Sequence, residues 1–348
     1  MTTSPQPAMS PRRSSGRALR SRVAAVSVAV LALTACSTPD SGDDSPAVAA
    51  ATGGGDTVIG VLCNAYYSLA AARIDADGGP LLSGTHSYLV EAQDALKSVD
   101  GDAEGDETEQ YDTARKLIDA AVDTTPDMTI QEQLTTQEEF PPMADEGAVE
   151  GVEAFFTYAG NLEGKQRETF EAVPVCGAFE AAPEVDEDTV VTPYVEFMRL
   201  AQGDTTLDNE AFSRAIELLP LGNPPLPGSG LPDLTAEDYR AIAEAIGEIA
   251  DGFDRWEIPE DATDGERRAL GPLVWHRPRL ADTYRAAADA AAEMAENPDE
   301  ESFYALISAA LESGTASARA VRMVPVPNDA TLDELIGDQA QPEQETQR

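Results

Sequence analysis

The chain has 348 residues, with 64 Asp and Glu against 23 Lys and Arg, 2 His and 3 Cys. A net charge of −41 excludes a nucleic-acid-binding surface, because phosphate contacts need a basic face. Two histidines leave little room for a His-rich metal centre, and the length allows one large domain or two small ones.

Residues 1–22 hold five arginines (Arg12, Arg13, Arg17, Arg20 and Arg22) and no acidic residue. A 13-residue apolar run follows, Val23 to Ala35, and then Cys36. A positive n-region, a short h-region and small residues at the exit predict a secretory signal over residues 1–35, too short for a comfortable bilayer span. The exit Leu33-Thr34-Ala35-Cys36 resembles the lipobox of bacterial lipoprotein precursors. That resemblance implies diacylglyceryl transfer to the Cys36 thiol, cleavage before it, and an extracytoplasmic protein anchored to the cell membrane by lipid. Without residues 1–35 the chain keeps 18 basic residues against 64 acidic ones, a net charge of −46. Such a surface repels anionic headgroups, so the lipid must supply the membrane affinity. It attracts cations and basic partners, and it also keeps a protein soluble. Residues 36–57, small, polar and rich in Gly and Pro, read as a flexible tether of roughly 25 Å mean reach.

From residue 58 to 323 the spacing predicts helix after helix, an all-α domain of about nine or ten. Only Thr57–Leu62 looks like a possible strand. Leu89, Ala92, Leu96 and Val99 step 3, 4, 3, as do Tyr111, Ala114, Ile118 and Ala121. Val149, Val152, Phe156 and Ala159 form a shorter stripe, as do Phe212, Ala215, Ile216 and Leu219. The strongest pattern is Tyr239, Ile242, Ile246, Ile249, Phe253 and Trp256, with Thr235 as a good N-cap and Glu237 and Asp238 in the first turn. Leu280, Tyr284, Ala287, Ala291 and Met294 continue it, then Phe303, Ile307, Ala310 and Leu311. Five Pro and three Gly within 218–234 forbid a helix there. Its leucines suggest a segment packed across the bundle, joining sub-bundles at about 58–219 and 235–323 through 220–234. A domain boundary or a lid over a pocket are the competing readings. Residues 324–348 read as a frayed tail.

Lipidation of Cys36 leaves Cys63 and Cys176, which outside the cytoplasm favours a disulfide. The bridge would close a loop of about 114 residues, worth about 4–5 kcal/mol in the chain-entropy model. It would fix the helix after Pro174 against the first helix. A nucleophilic thiol is the alternative, with no His beside either Cys in sequence.

Four stretches hold residues that could carry chemistry. Asp100-Gly-Asp102-Ala-Glu104-Gly105, between two expected helices at 85–99 and 107–122, resembles the start of an EF-hand calcium loop. That resemblance implies Asp100, Asp102 and Glu104 as metal ligands. Position 8 is Glu107 where the family has an aliphatic residue, and position 12 is Tyr111 where it needs a bidentate Glu. Asp75-Ala-Asp77-Gly78-Gly79 is more simply a helix stop. His86 follows Gly84 as in the Gly-x-His-x-x-Glu motif of imelysin-like helical surface proteins. Glu91, however, stands five residues on, so the resemblance implies location and fold class alone. Trp275, His276, Arg277 and Arg279 make a locally basic, aromatic patch. The arginines could grip a carboxylate or phosphate with Trp275 as a stacking wall; or they pair with helix carboxylates while the Trp fills the core. No Gly-x-Ser-x-Gly, Walker A, dinucleotide fingerprint, His-Glu-x-x-His or Cys-x-x-Cys occurs. Ser229 sits between glycines but follows no strand.

The expected function is therefore a lipid-anchored helical protein of the bacterial cell envelope that binds an envelope protein or ligand without catalysis and without a cofactor. A calcium- or iron-binding lipoprotein using carboxylates is the second reading. An envelope-polymer hydrolase is the third, and it requires a pocket where His86 or His276 meets a carboxylate or hydroxyl.

Overall fold

The computed structural model describes residues 57–77, 85–125, 127, 146–180, 187–203 and 231–324. The expected leader and tether with Cys36, the Phe212–Leu219 stripe, Ser229, most of the 218–234 connection and the expected tail past Val324 lie outside the described residues.

The described residues form ten α-helices and one 3-10 helix, with no strand among them. In chain order they are α1 (Val58–Asp77), α2 (Thr85–Ser98), α3 (Asp106–Thr124), α4 (Glu146–Gly160), α5 (Gly164–Glu171), the 3-10 helix Pro174–Phe179, α6 (Glu187–Ala201), α7 (Ala236–Arg255), α8 (Asp264–Ala269), α9 (Gly271–Glu296) and α10 (Glu300–Met323). The all-α expectation holds. The suspected strand at Thr57–Leu62 is instead the first turns of α1. Its unbroken apolar run does not mark a strand; the helix is buried on nearly every side, from Ile59 to Ala72.

An N-terminal unit packs α1 to α5 and the 3-10 helix around one core, in which Tyr66, Phe155 and Phe179 are central. Tyr66 stacks on Phe155 with centroids 4.3 Å apart, and Phe179 meets Phe155 edge-on. The α4 stripe differs from the expected one. Phe155 is fully buried and Phe156 is 44 % exposed. The buried face runs Gly151, Phe155, Ala159, one residue out of phase with the expected Val152 and Phe156. Two adjacent phenylalanines made the phase ambiguous, and the space over Tyr66 decided it. The Cys63–Cys176 disulfide forms, with Cα atoms 5.1 Å apart, and ties α1 to the 3-10 helix that follows Val173.

A C-terminal unit is built from α6, α7, α9 and α10 around two further clusters. α6 precedes the proline-rich connection in sequence yet packs with the helices after it. Tyr239, Ile242, Ile249, Phe253 and Trp256 are all buried, as the 3-4 spacing requires, with Ile246 half-buried. Thr235 caps α7: its hydroxyl accepts from the Asp238 N–H at 3.2 Å, and the Asp238 carboxylate accepts from the Thr235 N–H at 2.7 Å. Pro193 stands inside α6, and its carbonyl accepts the Trp256 indole N–H at 2.8 Å.

The units meet along the first half of α9, which is buried on both sides. Leu273 and Leu280 face the C-terminal core, and Trp275 belongs to the N-terminal one. Two glycines permit the approach of the 3-10 helix. A Cβ on Gly271 would lie 1.9 Å from the Pro174 carbonyl oxygen, and one on Gly177 would lie 2.2 Å from that of Arg268. Beside this contact Arg167 and Arg268 both pair with Glu171 and Glu180.

Candidate functional site

The expected binding patch is divided between the two units' interior and its edge. Trp275 is fully buried, and its indole N–H donates to Asn64 Oδ1 at 2.8 Å. The guanidinium of Arg279 lies 4.0 Å from the Trp275 ring centroid and donates to Glu91 of α2 at 2.8 Å. The stacking wall and the cation are thus turned on each other. Arg277 points away and donates to the Trp256 carbonyl at 2.9 Å. Glu91, noted beside His86 in sequence, therefore serves Arg279. His86 is joined through Nδ1 to the Thr125 carbonyl at 3.0 Å.

His276 is 2 % exposed, and its Nε2 lies 3.2 Å from the hydroxyl of Tyr67. Burial pushes its pKa well below the usual imidazole range, and the charges of Arg319 and Arg279 push the same way. Burial raises Tyr67, with Arg279 opposing, so the phenol keeps its proton and shares a hydrogen bond with the neutral imidazole, the tautomer of the ring deciding which of the two donates. Arg319, from α10, lies 4.8 Å from the ring centroid of Tyr88 on α2. A histidine does meet a hydroxyl here, as a hydrolase would require. Both groups are buried in the core.

Sequence reasoning missed Tyr67, Asn64 and Arg319. The first two lie on a helix apolar almost throughout, where period marks no face, and Arg319 reads as an ordinary helical arginine. Only burial distinguishes them.

The acidic loop is closed by its own neighbour. Tyr111, buried, donates to Asp100 Oδ1 and to the Leu96 carbonyl, each at 3.1 Å. Arg115 approaches the same carboxylate at 3.7 Å. Burial and the Asp100 carboxylate both raise the Tyr111 pKa. Asp102 and Glu104 point to solvent, and among the described residues no three His, Cys, Asp or Glu side chains are grouped to hold a metal ion. Gly101 and Gly105 take φ of +89° and +58°, which lets the chain reverse in so few residues.

An open groove lies elsewhere, between α3 and α4, with a volume of about 790 Å³. Glu109, Asp112 and Lys116 line it from α3, at successive helical turns; Glu150 lines it from α4. Gly147, Gly151 and Ala154 leave the α4 wall without bulk, and Leu117 forms part of the floor. Glu109, Asp112 and Glu150 make no ion pair among the described residues. Nothing in the sequence marks these carboxylates out, because acidic residues are everywhere in it.

Among the described residues no helix is long and apolar enough to cross a membrane. Comparison with protein-family models, curated proteins and solved structures finds no match for the chain.

Proposed function

We propose that the chain is a lipid-anchored, extracytoplasmic protein of the bacterial cell envelope that binds a partner without catalysing a reaction, and that the partner is a cationic segment docking between α3 and α4. The groove carries this reading: it is open, its charged lining is three carboxylates (Glu109, Asp112 and Glu150) against one lysine (Lys116), and small and apolar residues make up much of the rest. The side chains best suited to acid–base work, His276 and His86, are engaged with protein groups instead. The Arg-rich leader and the lipobox-like Leu33–Cys36 support the address, and a buried Cys63–Cys176 bridge suits an oxidising compartment.

The experiment titrates a Lys-rich amphipathic peptide into the protein by calorimetry. Reversing Glu109→Lys and Glu150→Lys should weaken binding at least ten-fold. Reversing Asp251→Lys and Asp289→Lys, exposed on the C-terminal unit and equal in charge, should change it little. Equal losses from both pairs would mean that bulk charge alone attracts the peptide, and the groove reading would fail. Mass spectrometry of Cys36 from the native host tests the address separately; an unacylated thiol there would overturn it.

A further inference from the structure

The seam between the two units gathers titratable and charged side chains from both of them. From α1 it receives Tyr67, from α2 Tyr88 and Glu91, and from the 3-10 helix the apolar Phe179. Opposite stand His276 and Arg279 of α9 and Arg319 of α10, with Glu312 two turns before Arg319. The C-terminal side thus brings two buried guanidinium groups, an imidazole and the Glu312 carboxylate. The N-terminal side answers with one carboxylate, half-exposed at the rim, and two phenols.

This arrangement disfavours a charged His276. A proton on the ring would add a third cation beside Arg279 and Arg319, away from water. A second contact between the units does not share this weakness. The 3-10 helix is stapled to α1 by the disulfide, and it meets α8 and α9 backbone to backbone at Gly177 and Gly271. We propose that the seam is an acid-sensitive joint: protonation of His276 parts α1 and α2 from α9 and α10, while the contact of the 3-10 helix with α8 and α9 stays closed and acts as the hinge.

The sign follows from linkage. The imidazole pKa is depressed in the closed form, so His276 costs closure nothing above the ordinary value of about 6.5. Below it the open form takes a proton that the closed form refuses. The open-to-closed ratio then rises about ten-fold per pH unit until the closed-form pKa is reached. Burial raises the Glu312 carboxyl against the pull of Arg319. That group therefore binds its proton more readily when closed and acts in the opposite direction as pH falls. The test must isolate His276 by difference.

Hydrogen exchange of the α2 and α9 amides, corrected for intrinsic rate, is compared between wild type and His276→Gln from pH 8 to 5. Gln keeps an acceptor for Tyr67 and does not titrate. The ratio of opening, wild type over variant, should be constant above about pH 6.5 and grow about ten-fold per unit below it. A ratio flat across the range would overturn the proposal. His86→Gln, the other histidine, should keep the wild-type profile; if it instead removed the acid response, the assignment to His276 would fail. Should His276→Gln not fold, Tyr67→Phe decides. Losing the phenol hydroxyl changes only the closed form, so the onset should stay at about pH 6.5 while the pH at which the growth levels off should shift; a levelling-off that does not move counts against the joint.

Discussion

In the C-terminal unit three helices of 20, 26 and 24 residues lie against one another through long apolar stripes. Ala287 and Ala291 bring α9 close to its neighbours. In the N-terminal unit the helices after α1 are shorter, 14, 19, 15 and 8 residues, and they converge on an aromatic stack, a disulfide and a cluster of two arginines with two glutamates. Long amphipathic helices secure their own packing, since each added turn extends the same apolar seam. Short helices meeting at varied angles bury less along any one seam, so point attachments carry more of the load.

The largest effect that would break this comparison is loss of the disulfide. Cys63→Ser with Cys176→Ser removes the loop constraint from the unfolded chain and should destabilise the protein by about 3–5 kcal/mol in denaturant melts. Hydrogen exchange should show the N-terminal unit opening first. Uniform loosening of α7, α9 and α10 would deny the division of labour.

Next comes the stack. Phe155→Ala should cost about 3–4 kcal/mol by leaving a cavity over Tyr66, whereas the neighbouring Phe156→Ala should stay within about 0.5 kcal/mol. Equal costs would show that the phase of α4 is wrong.

The smallest effect sharpens the other side. Thr235→Ala breaks the capping box of α7 and should cost about 1 kcal/mol, seen as a lowered melting temperature and faster exchange in its first turn. A loss several times larger would mean that the C-terminal unit, too, hangs on a point attachment.

Legibility in the sequence followed the same division. For α7 and the second half of α9 the spacing alone named most of the large buried side chains, because a stripe with a polar opposite face can bury itself in only one way; it did not name the alanines Ala241, Ala245 and Ala250. For α1 it failed, since a helix apolar all round offers no phase and its start resembled a strand. In α4 the pair Phe155-Phe156 left two phases open. The Cys63–Cys176 bridge was legible as an expectation, on the reading that Cys36 is lipidated and the chain lies outside the cytoplasm. The patch at Trp275–Arg279 was legible as a cluster of chemistry but not as an interior one. Both of its expected readings rested on the same residues, and partners more than 180 positions away, Glu91 and Asn64, decided between them.

Composition and period by themselves determined an acidic, all-helical domain. They also supplied the faces of the long helices, because these depend only on residues a few positions apart. Tertiary structure alone decided which arginines meet which carboxylates and which histidine is sealed beside a tyrosine. It also set which two helices leave a groove open between them. Those outcomes depend on surfaces brought together from distant parts of the chain, where desolvation rather than local preference fixes the charge a side chain can hold.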